Sequence, residues 1–309
     1  MSDNTWVIGV DGGGTRTRAR LANEQGELLG SGEAGIANPN AHGNAAAQKE
    51  ILDAIDRAFQ DAHIEKQIVA AACLGIGGVD RADERAQFAE WARQTIAPRA
   101  QIVNDGEIVL AAGLPENWGV ALIAGTGSIA WGKTIEGRIA RAGGWGYLLG
   151  DEGSGFDLAR EALRAATQAA DGRGEPTKLL DVILNYWGLG SAMELVSRVY
   201  RPGLAPADIA RLAPLVIRAA EEEDAVARRL IERAAAALAD TVIGVARMLQ
   251  FREAKIPLAL AGGLLVEAEP LRSVLRAELT RRGAVFSPIV LVREPVIGAV
   301  RIAIELMRG

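Results

Sequence analysis

An apolar strand pattern broken by a run of glycines occurs twice in this chain of 309 residues, and this recurrence most constrains the fold. Trp6–Val10 leads into Gly12-Gly13-Gly14, and Gly119–Ala124 leads into Gly125-Thr126-Gly127-Ser128. Each break is followed by further strand-like segments around a turn, and then by helical patterns. An order of strands and helices that begins again after about the length of one domain indicates two α/β domains.

Hydrophobic periodicity predicts the remaining elements. The predicted strands are 16–21, 27–33, 68–74, 101–103, 129–133, 138–141, 258–261 and 290–292. The predicted helices are 45–62, 81–96, 224–251, one from Glu267, and 296–307. The turn-rich stretch 114–117 predicts the boundary between the two domains, which gives an N-terminal lobe of residues 1–116 and a C-terminal lobe of residues 117–309. The last helix is able to pack back on the first lobe.

Composition excludes several classes of protein. The net charge is −5, whereas general nucleic-acid binders carry a basic surplus, so we expect no nucleic-acid partner. The apolar run that starts at Trp6 is too short for a leader or a membrane span, so we expect no membrane partner. Cys73 is the only cysteine, which excludes an internal disulfide and, with no leader pattern, predicts a cytoplasmic protein.

The first glycine motif, Asp11-Gly12-Gly13-Gly14-Thr15-Arg16-Thr17, fits a phosphate site. Glycines at a strand-to-strand turn let backbone N–H groups point into one concavity, and threonine hydroxyls add donors. An aspartate at the strand end can hold Mg²⁺ through one carboxylate and waters. A plain glycine hairpin explains the same residues.

The second motif, Gly125-Thr126-Gly127-Ser128, overlaps two familiar patterns. Residues 127–134 match the Walker A string, and 125–130 match a dinucleotide fingerprint. Both need a helix directly after the glycines, but 128–133 has a strand pattern. A second glycine hairpin explains both matches more simply.

Three further segments carry polar or glycine-rich patterns at strand ends. Asn104-Asp105-Gly106 follows a short strand, where a carboxylate can accept a substrate proton, although an Asx turn or a helix N-cap explains the spacing alone better. Residues 143–155 form a long glycine-rich stretch that contains Trp145, Asp151 and Glu152, and such loops are usually functional. Gly262-Gly263 lets the backbone lie against a planar group, or simply turns into a helix.

The ordered set of motifs resembles the BadF/BadG/BcrA/BcrD-type ATPase family, within the actin/hexokinase/Hsp70 superfamily. The resemblance rests on six segments that span nearly the whole chain. They are GVDGGGTRTRA at Gly9, GIANPNAHG at Gly35, NDG at Asn104, AGTGS at Ala124, GGWGYLLGDEGSG at Gly143 and AGGL at Ala261.

The resemblance implies two RNase-H-like α/β domains that close over a cleft, with roles for particular residues. Asp105 matches the catalytic base, and Asp11 would orient Mg²⁺ through water. The residues implied for ATP are Asp11, Gly13, Gly14, Thr15, Thr17, Gly125, Thr126, Gly127, Gly262 and Gly263. The residues implied for the sugar are Asn38, Asn40, Asn104, Gly144, Trp145, Asp151 and Glu152.

The resemblance further implies an ATP-dependent hexosamine kinase that phosphorylates N-acetylglucosamine or a related amino sugar at C6. A glucosamine kinase and an activator or regulatory ATPase of the same family are the alternatives. A lone Cys73 departs from the iron–sulfur activators of the family, because it gives no cysteine pair per subunit. We expect ATP and Mg²⁺ as cofactors, a small sugar as substrate and a homodimer.

Overall fold

The computed structural model describes residues 5–79 and 81–309, except for the side chains of residues 41 and 42. The described strands are β1 (Trp6–Gly12), β2 (Thr17–Asn23), β3 (Leu28–Ala34), β4 (Ala71–Ile76), β5 (Arg99–Val103), β6 (Gly119–Ala124), β7 (Ser128–Lys133), β8 (Ile139–Gly143), β9 (Ile256–Ala261) and β10 (Phe286–Leu291).

Helices fill most of the remaining described chain. They are α1 (Pro39–His42), α2 (Asn44–Asp61), α3 (Ala82–Thr95), α4 (Asp105–Gly113), α5 (Gly155–Ala170), α6 (Leu179–Trp187), α7 (Glu194–Val199), α8 (Pro206–Ala210), α9 (Ala213–Glu221), α10 (Ala225–Leu249), α11 (Gly263–Glu267), α12 (Glu269–Arg281) and α13 (Val296–Arg308). Within the described segments, no helix combines the length and the apolar character that crossing a bilayer requires.

The strands form two five-stranded sheets with the same connectivity. The first sheet has the order β3-β2-β1-β4-β5, and the second, read from its other edge, has the order β8-β7-β6-β9-β10. In both sheets the first strand of the series is central and the hairpin strands lie to one side. The prediction of a mixed α/β fold built twice on a related plan is confirmed.

Cα packing divides the chain into two compact units. The first unit comprises residues 1–121 and 290–309, and the second comprises 122–289. The sequence prediction places the division between 116 and 117 and allows the last helix to return. In the structure that helix, α13, belongs to the first unit, where it packs on β1, β4 and α4.

The first sheet is covered on both faces because its central strands carry apolar residues on both faces. Ile8 and Val10 of β1 belong to a core with α2 and α3, whereas Val7 belongs to a core with α4 and α13. Cys73 of β4 is fully buried in the second of these cores, where it packs as a small core residue. Strands that are buried on both faces read as continuous apolar runs, as β4 does.

In the second unit, the long helix α10 is the principal packing element. It packs on β7 and β8 and on the helices α5, α9 and α12. Its buried residues recur at helical spacing, so that one face is apolar along the whole length. The sequence prediction of a helix over 224–251 is confirmed to within a few residues.

Three predicted boundaries differ from the structure. The strand predicted at 68–74 begins only at Ala71, and the strand predicted at 290–292 is Phe286–Leu291. The helix predicted from Glu267 is preceded by α11, which begins at Gly263. Gly262 has a φ of 91°, and this left-handed turn allows the helix to begin immediately after β9.

Close approach between α13 and its neighbours depends on glycine. A Cβ added to Gly9 would lie 2.5 Å from the backbone nitrogen of Val300. A Cβ added to Gly298 would overlap the carbonyl oxygen of Ile108 in α4. Because both obstacles are backbone atoms, a rotamer change cannot relieve them.

We therefore expect Gly298→Ala to lower the free energy of unfolding by about 2 kcal/mol or more, because overpacking outweighs the gain in helix propensity. Gly244→Ala in α10 is the matched control, since its Cβ would meet only the Ala142 Cβ at 3.4 Å. The free energy of unfolding of this control variant should equal that of the wild type or exceed it by up to about 1 kcal/mol. Urea unfolding followed by circular dichroism measures both, and equal stability of the two variants would contradict the packing argument.

Candidate active site

Three parallel strands of the first unit bring their carboxyl ends to one edge of the sheet. Asp11 pairs with Gly75 across β1 and β4, and Gly75 pairs with Val103 across β4 and β5. Asp11 lies at the end of β1, and Asp105 begins the helix directly after β5. Ligands bind beyond the carboxyl ends of strands in open α/β sheets, so this edge is the candidate site.

Asp105 faces the turn that follows β4. A Cβ added to Gly77 would lie 3.3 Å from Oδ2 of Asp105 and 3.7 Å from the carbonyl oxygen of Gly12. The Gly77 N–H also donates to the Gly12 carbonyl at 2.9 Å. This hydrogen bond joins the end of β1 to the turn after β4. The Asp105 carboxylate lies next to Gly77 in that turn.

Backbone hydrogen bonds orient the Asn104-Asp105 pair. Asn104 is the N-cap of α4, and its Oδ1 accepts from the Gly106 N–H at 2.8 Å. Oδ1 of Asp105 accepts from the same N–H at 2.9 Å, which fixes the direction of the carboxylate. The helix-cap interpretation of Asn104 is thus correct, and the cap itself presents Asp105 at the strand end.

Asn38 and Asn40 reach the same turn from the loop after β3. Asn38 caps α1 through its Oδ1, which accepts from the Asn40 N–H at 2.9 Å. Nδ2 of Asn40 donates to the Gly78 carbonyl at 3.1 Å, and a Cβ on Gly78 would lie 2.6 Å from Oδ1 of Asn38. The structure therefore brings Asn38, Asn40 and Asp105 around Gly77-Gly78.

The hydrogen-bond donors predicted in the loop after β1 lie in different surroundings. Gly14 and Thr15 are exposed, and the Gly13 N–H donates to the Arg16 carbonyl at 3.1 Å. Thr17 is fully buried, and its hydroxyl donates to the Gly35 carbonyl at 2.7 Å. The Thr17 hydroxyl therefore fastens the strand, whereas the Gly13–Thr15 segment faces solvent.

Asp11 is electrostatically unusual. Burial raises the pKa of its carboxyl to about 6, although Arg18, Arg16 and Arg20 oppose the shift. Arg18 is drawn away by Glu33, whose Oε1 lies 3.1 Å from its Nε. A carboxylate that neighbouring arginines do not fully compensate is suited to a cation.

The second unit contains the second glycine motif, residues 125–128, which we call the phosphate loop after the role that the sequence predicts for it. Each of its four carbonyl groups accepts a backbone hydrogen bond. Gly125 and Thr126 accept from the N–H groups of Gly155 and Phe156 at the start of α5, at 2.8 and 3.2 Å. Gly127 accepts from Gly125 at 2.9 Å, and Ser128 accepts from Gly144 at 2.9 Å. All four carbonyl oxygens of the loop are therefore occupied by backbone N–H donors.

The segment after the phosphate loop is a strand. Residues 128–133 form β7, which pairs antiparallel with β8, so no helix follows the glycines. The Walker A and dinucleotide interpretations both require that helix and are excluded.

Gly262 and Gly263 lie beside the phosphate loop. A Cβ on Gly262 would overlap the Ala124 carbonyl oxygen, and the Gly263 nitrogen lies 3.7 Å from the Cβ position of Gly125. The two glycine motifs are therefore adjacent, as β6 and β9 are neighbours in the sheet. At Gly262 there is room for backbone but not for a side chain.

Residues 143–155, which we call the glycine-rich loop, return to the phosphate loop at several points. Trp145 projects into solvent with 63% of its surface exposed, and Arg141 stacks on its ring at 4.9 Å. Oδ1 of Asp151 accepts from the Ser128 N–H at 3.3 Å, and the Glu152 carbonyl accepts from the Ser128 hydroxyl at 2.8 Å. Gly144, Asp151 and Glu152 are thus brought together with residues 125–128.

Comparison with known proteins identifies the family. A model described as the BadF/BadG/BcrA/BcrD ATPase family matches residues 8–303. The chain belongs to this family.

Relatives within the family agree over most of the chain. An N-acetylmuramic acid/N-acetylglucosamine kinase of Clostridium acetobutylicum is 32% identical over 299 residues, covering 96% of this chain and 98% of the relative. An N-acetyl-D-glucosamine kinase of Dictyostelium discoideum is 31% identical, covering 83% of this chain and 84% of the relative. The solved structure of a provisionally named N-acetylglucosamine kinase from Chromobacterium violaceum is 30% identical with a TM-score of 0.77, covering 98% of this chain and 99% of that one.

The resemblance to this family that the six motifs predict is therefore confirmed, and the two-sheet α/β fold agrees with that of its relatives. Sequence reasoning missed Gly77 and Gly78, which join Asp105 to Asn38 and to β1. The signal was present as Gly75-Ile76-Gly77-Gly78 at the end of an apolar strand, a pattern shared with the glycine motifs after β1, β6 and β9.

The chain belongs to an ATPase family, and ATP is bound together with a divalent cation. The Asp11 carboxylate is suited to hold such a cation. Mg²⁺ binds through one or two carboxylates together with waters and substrate phosphates, so a single carboxylate at a strand end suffices. Within residues 5–79 and 81–309, no three His, Cys, Asp or Glu side chains are grouped as a metal site.

We expect Asp11→Asn to stabilise the nucleotide-free protein at neutral pH. The folded pKa lies above the unfolded value, so the wild type loses stability as the pH rises from about 4 to about 6, and the cost then persists. A shift of two units corresponds to about 3 kcal/mol, and the partial exposure of Asp11 should reduce the measured gain to about 1 kcal/mol. Thermal unfolding at pH 4 and pH 7 measures the difference.

Asp61→Asn is the control of opposite sign. The Ser31 N–H and hydroxyl both donate to Asp61, and they hold the pKa of its carboxyl below the usual value. This variant should be less stable than wild type at pH 7, with a difference that fades as the pH falls through the carboxyl range. If Asp11→Asn behaved in the same way as Asp61→Asn, the burial argument for Asp11 would be wrong.

Proposed function

We propose that this chain is an ATP-dependent hexosamine kinase that transfers the γ-phosphoryl group of ATP to the C6 hydroxyl of N-acetylglucosamine or a close derivative. The observation that carries the proposal is the position of Asp105, at a parallel-strand edge beside the Gly12 carbonyl and the Gly77-Gly78 turn. The relatives named as N-acetylglucosamine kinases supply the substrate class.

Asp105 acts as the proton acceptor in this proposal. One carboxylate oxygen is held by the Gly106 N–H, and the other faces Gly77. A sugar hydroxyl directed at this second oxygen gives up its proton as its own oxygen attacks phosphorus, and the bond from phosphorus to the leaving ADP oxygen breaks. A fixed carboxylate also orients the hydroxyl for attack in line with that bond.

The other predicted residues divide between the two substrates. Asn38, Asn40 and Asn104 offer amide groups to the sugar beside the Gly77-Gly78 turn, and Gly144, Trp145, Asp151 and Glu152 offer contacts from the glycine-rich loop. An exposed indole suits the apolar face of a pyranose ring.

The residues of the two glycine hairpins serve the nucleotide. The hairpin segments Gly13–Thr15 and Gly125–Gly127 lie against the phosphates, and Gly262-Gly263 lies against the adenosine. Asp11 holds Mg²⁺ through water, and the bound ion supplies neutralisation of charge on the phosphate oxygens.

The proposal includes a homodimer that acts in the cytoplasm. A single buried cysteine is typical of proteins from a reducing compartment. Two-fold dimers are the commonest soluble assembly. Size-exclusion chromatography with light scattering measures the assembly directly.

We expect Asp105→Asn to lower kcat by about two to four orders of magnitude while nucleotide affinity is nearly kept, because asparagine cannot accept the proton. Lys133→Ala is the control, since Lys133 lies in β7 and is outside the proposed machinery. A coupled ADP-release assay measures turnover, and titration with a non-hydrolysable ATP analogue measures affinity. Loss of turnover in Lys133→Ala with full activity in Asp105→Asn would reject the proposal.

A panel of sugars in the same assay tests the substrate. N-acetylglucosamine should give the highest kcat/KM. The kcat/KM for glucosamine shows how strongly the enzyme distinguishes a free amine from the N-acetyl group, and the kcat/KM for N-acetylmuramic acid shows how well it accepts a substituent at C3. ADP release at one rate with and without every sugar is the result expected of an activator ATPase.

A further inference from the structure

The segment that carries Asn38 and Asn40 is fastened where it leaves β3. We call residues 35–40 the sugar segment, after the role proposed above for these two asparagines. The Gly35 N–H donates to Oε2 of Glu50 in α2 at 2.6 Å. The Gly35 carbonyl accepts from the hydroxyl of the fully buried Thr17 at 2.7 Å. Both backbone polar groups of Gly35 are therefore held by side chains from other elements.

The packing of α2 on β3 brings Glu50 to the end of the strand. A Cβ added to Gly30 would overlap the Ala58 carbonyl oxygen, and one added to Gly32 would overlap the Ala54 carbonyl oxygen. Two strand residues advance about 6.6 Å and four helix residues about 6 Å, so the two elements stay aligned in antiparallel order. Glu50 is the next residue of this helix row, four positions before Ala54, and it follows that it lies beside the start of the sugar segment.

Beyond Gly35, the sugar segment crosses the end of β1 and reaches the turn after β4. Ala37 is fully buried, and its Cβ lies 3.2 Å from the position that a Cβ on Gly12 would take. Asn38 follows directly, and its Oδ1 lies 2.6 Å from the Cβ position of Gly78. A shift of Gly35 would therefore move the Asn38 amide relative to this turn.

The docking of α2 on the sheet does not depend on Glu50. The helix buries an apolar face that includes Ile51, Ile55 and Phe59. A second carboxylate, that of Asp61, accepts from the Ser31 N–H of β3 at 2.8 Å, about 16 Å further along the helix. Glu50 differs from Asp61 because its backbone partner belongs to the sugar segment rather than to the strand.

We propose that Glu50 is a positioning residue for sugar binding, which holds the sugar segment in place through Gly35. This inference rests on the proposed function. A segment that the fold already orders loses less conformational entropy when the sugar binds, so affinity for the sugar is higher. Glu50 acts on binding and not on the proton transfer to Asp105, so its loss should weaken sugar binding and leave the chemical step nearly unchanged.

Steady-state kinetics of Glu50→Ala, with N-acetylglucosamine and ATP varied in turn, tests the proposal. We expect the KM for the sugar to rise about tenfold, as when a hydrogen bond to a charged group is lost, while kcat and the KM for ATP stay within about twofold of wild type. Alanine is the better helix former, and the exposed Gly35 N–H can bond to water, so the melting temperature should change little. Glu50→Gln keeps an oxygen acceptor and should restore most of the wild-type KM.

Asp61→Ala is the matched control. It removes a carboxylate of the same helix from a backbone N–H of the same strand, that of Ser31. This variant should have a lower free energy of unfolding than the wild type and an unchanged KM for the sugar. The pair of variants thus separates a positioning role of Glu50 from a general loosening of α2.

Gly35→Ala disturbs the same contact from the other side. Its Cβ would lie 2.7 Å from Oε2 of Glu50, so the carboxylate has to move away and its hydrogen bond is lost. The backbone at Gly35 lies outside the left-handed region, so alanine does not strain it. We expect a rise in the sugar KM similar to that of Glu50→Ala. The double variant should be no worse than either single variant, as expected of residues that act through one contact.

Four results overturn the inference while the wild type phosphorylates the sugar. In the first, Glu50→Ala keeps the wild-type KM for the sugar, and in the second it raises the KM for ATP equally. In the third, Asp61→Ala raises the sugar KM as much as Glu50→Ala does. In the fourth, the effects of Gly35→Ala and Glu50→Ala multiply in the double variant. A wild type that phosphorylates no amino sugar overturns the proposed function and, with it, this role of Glu50.

Discussion

Close approach of backbone at the strand ends is the constraint on which the rest of the first unit depends. The Gly77 N–H reaches the Gly12 carbonyl at 2.9 Å, and Asp105 approaches the same turn from β5. A side chain at Gly77 or Gly78 would fill the space that Asp105 and Asn38 occupy. Two other glycines bring α13 close to its neighbours, since Gly9 lets it pack directly on β1 and Gly298 lets it pack directly on α4. The candidate site therefore depends on where side chains are missing as much as on where they are present.

Close approach of backbone at glycine also shapes the second unit. Its phosphate loop is shaped by hydrogen bonds from Gly144, Gly155 and Phe156 to loop carbonyls, and the backbone at Gly262 lies against the end of β6. A common strand order in the two sheets explains why a glycine hairpin comes after the first strand of each. The two hairpins differ in their later contacts, since only the second meets a glycine-rich loop with a carboxylate set against it.

Many of the elements and the motifs could be predicted from the sequence because their signals are local, whereas α4 and the helices α5 to α9 were not predicted individually. Apolar runs ending in glycine identify β1 and β6, and the helical spacing of α2 and α10 is regular over many residues. The role of the Thr17 hydroxyl could not be predicted, because its partner, Gly35, lies at the end of another strand. Gly77-Gly78 was missed because its importance appears only when β1, β4 and β5 are aligned. The Asp151 carboxylate was predicted to contact sugar, and its contact with Ser128 depends on the fold of a long irregular loop.

Phosphorus-31 NMR of the reaction mixture tests the central claim most directly. With ATP, Mg²⁺ and N-acetylglucosamine, the account predicts a new phosphomonoester signal that grows in equal amount to ADP, with a coupling to two protons that marks the C6 position. Inorganic phosphate should stay near background, and no ADP should accumulate when the sugar is omitted. Equal amounts of ADP and inorganic phosphate, formed at the same rate with and without sugar, would contradict the account.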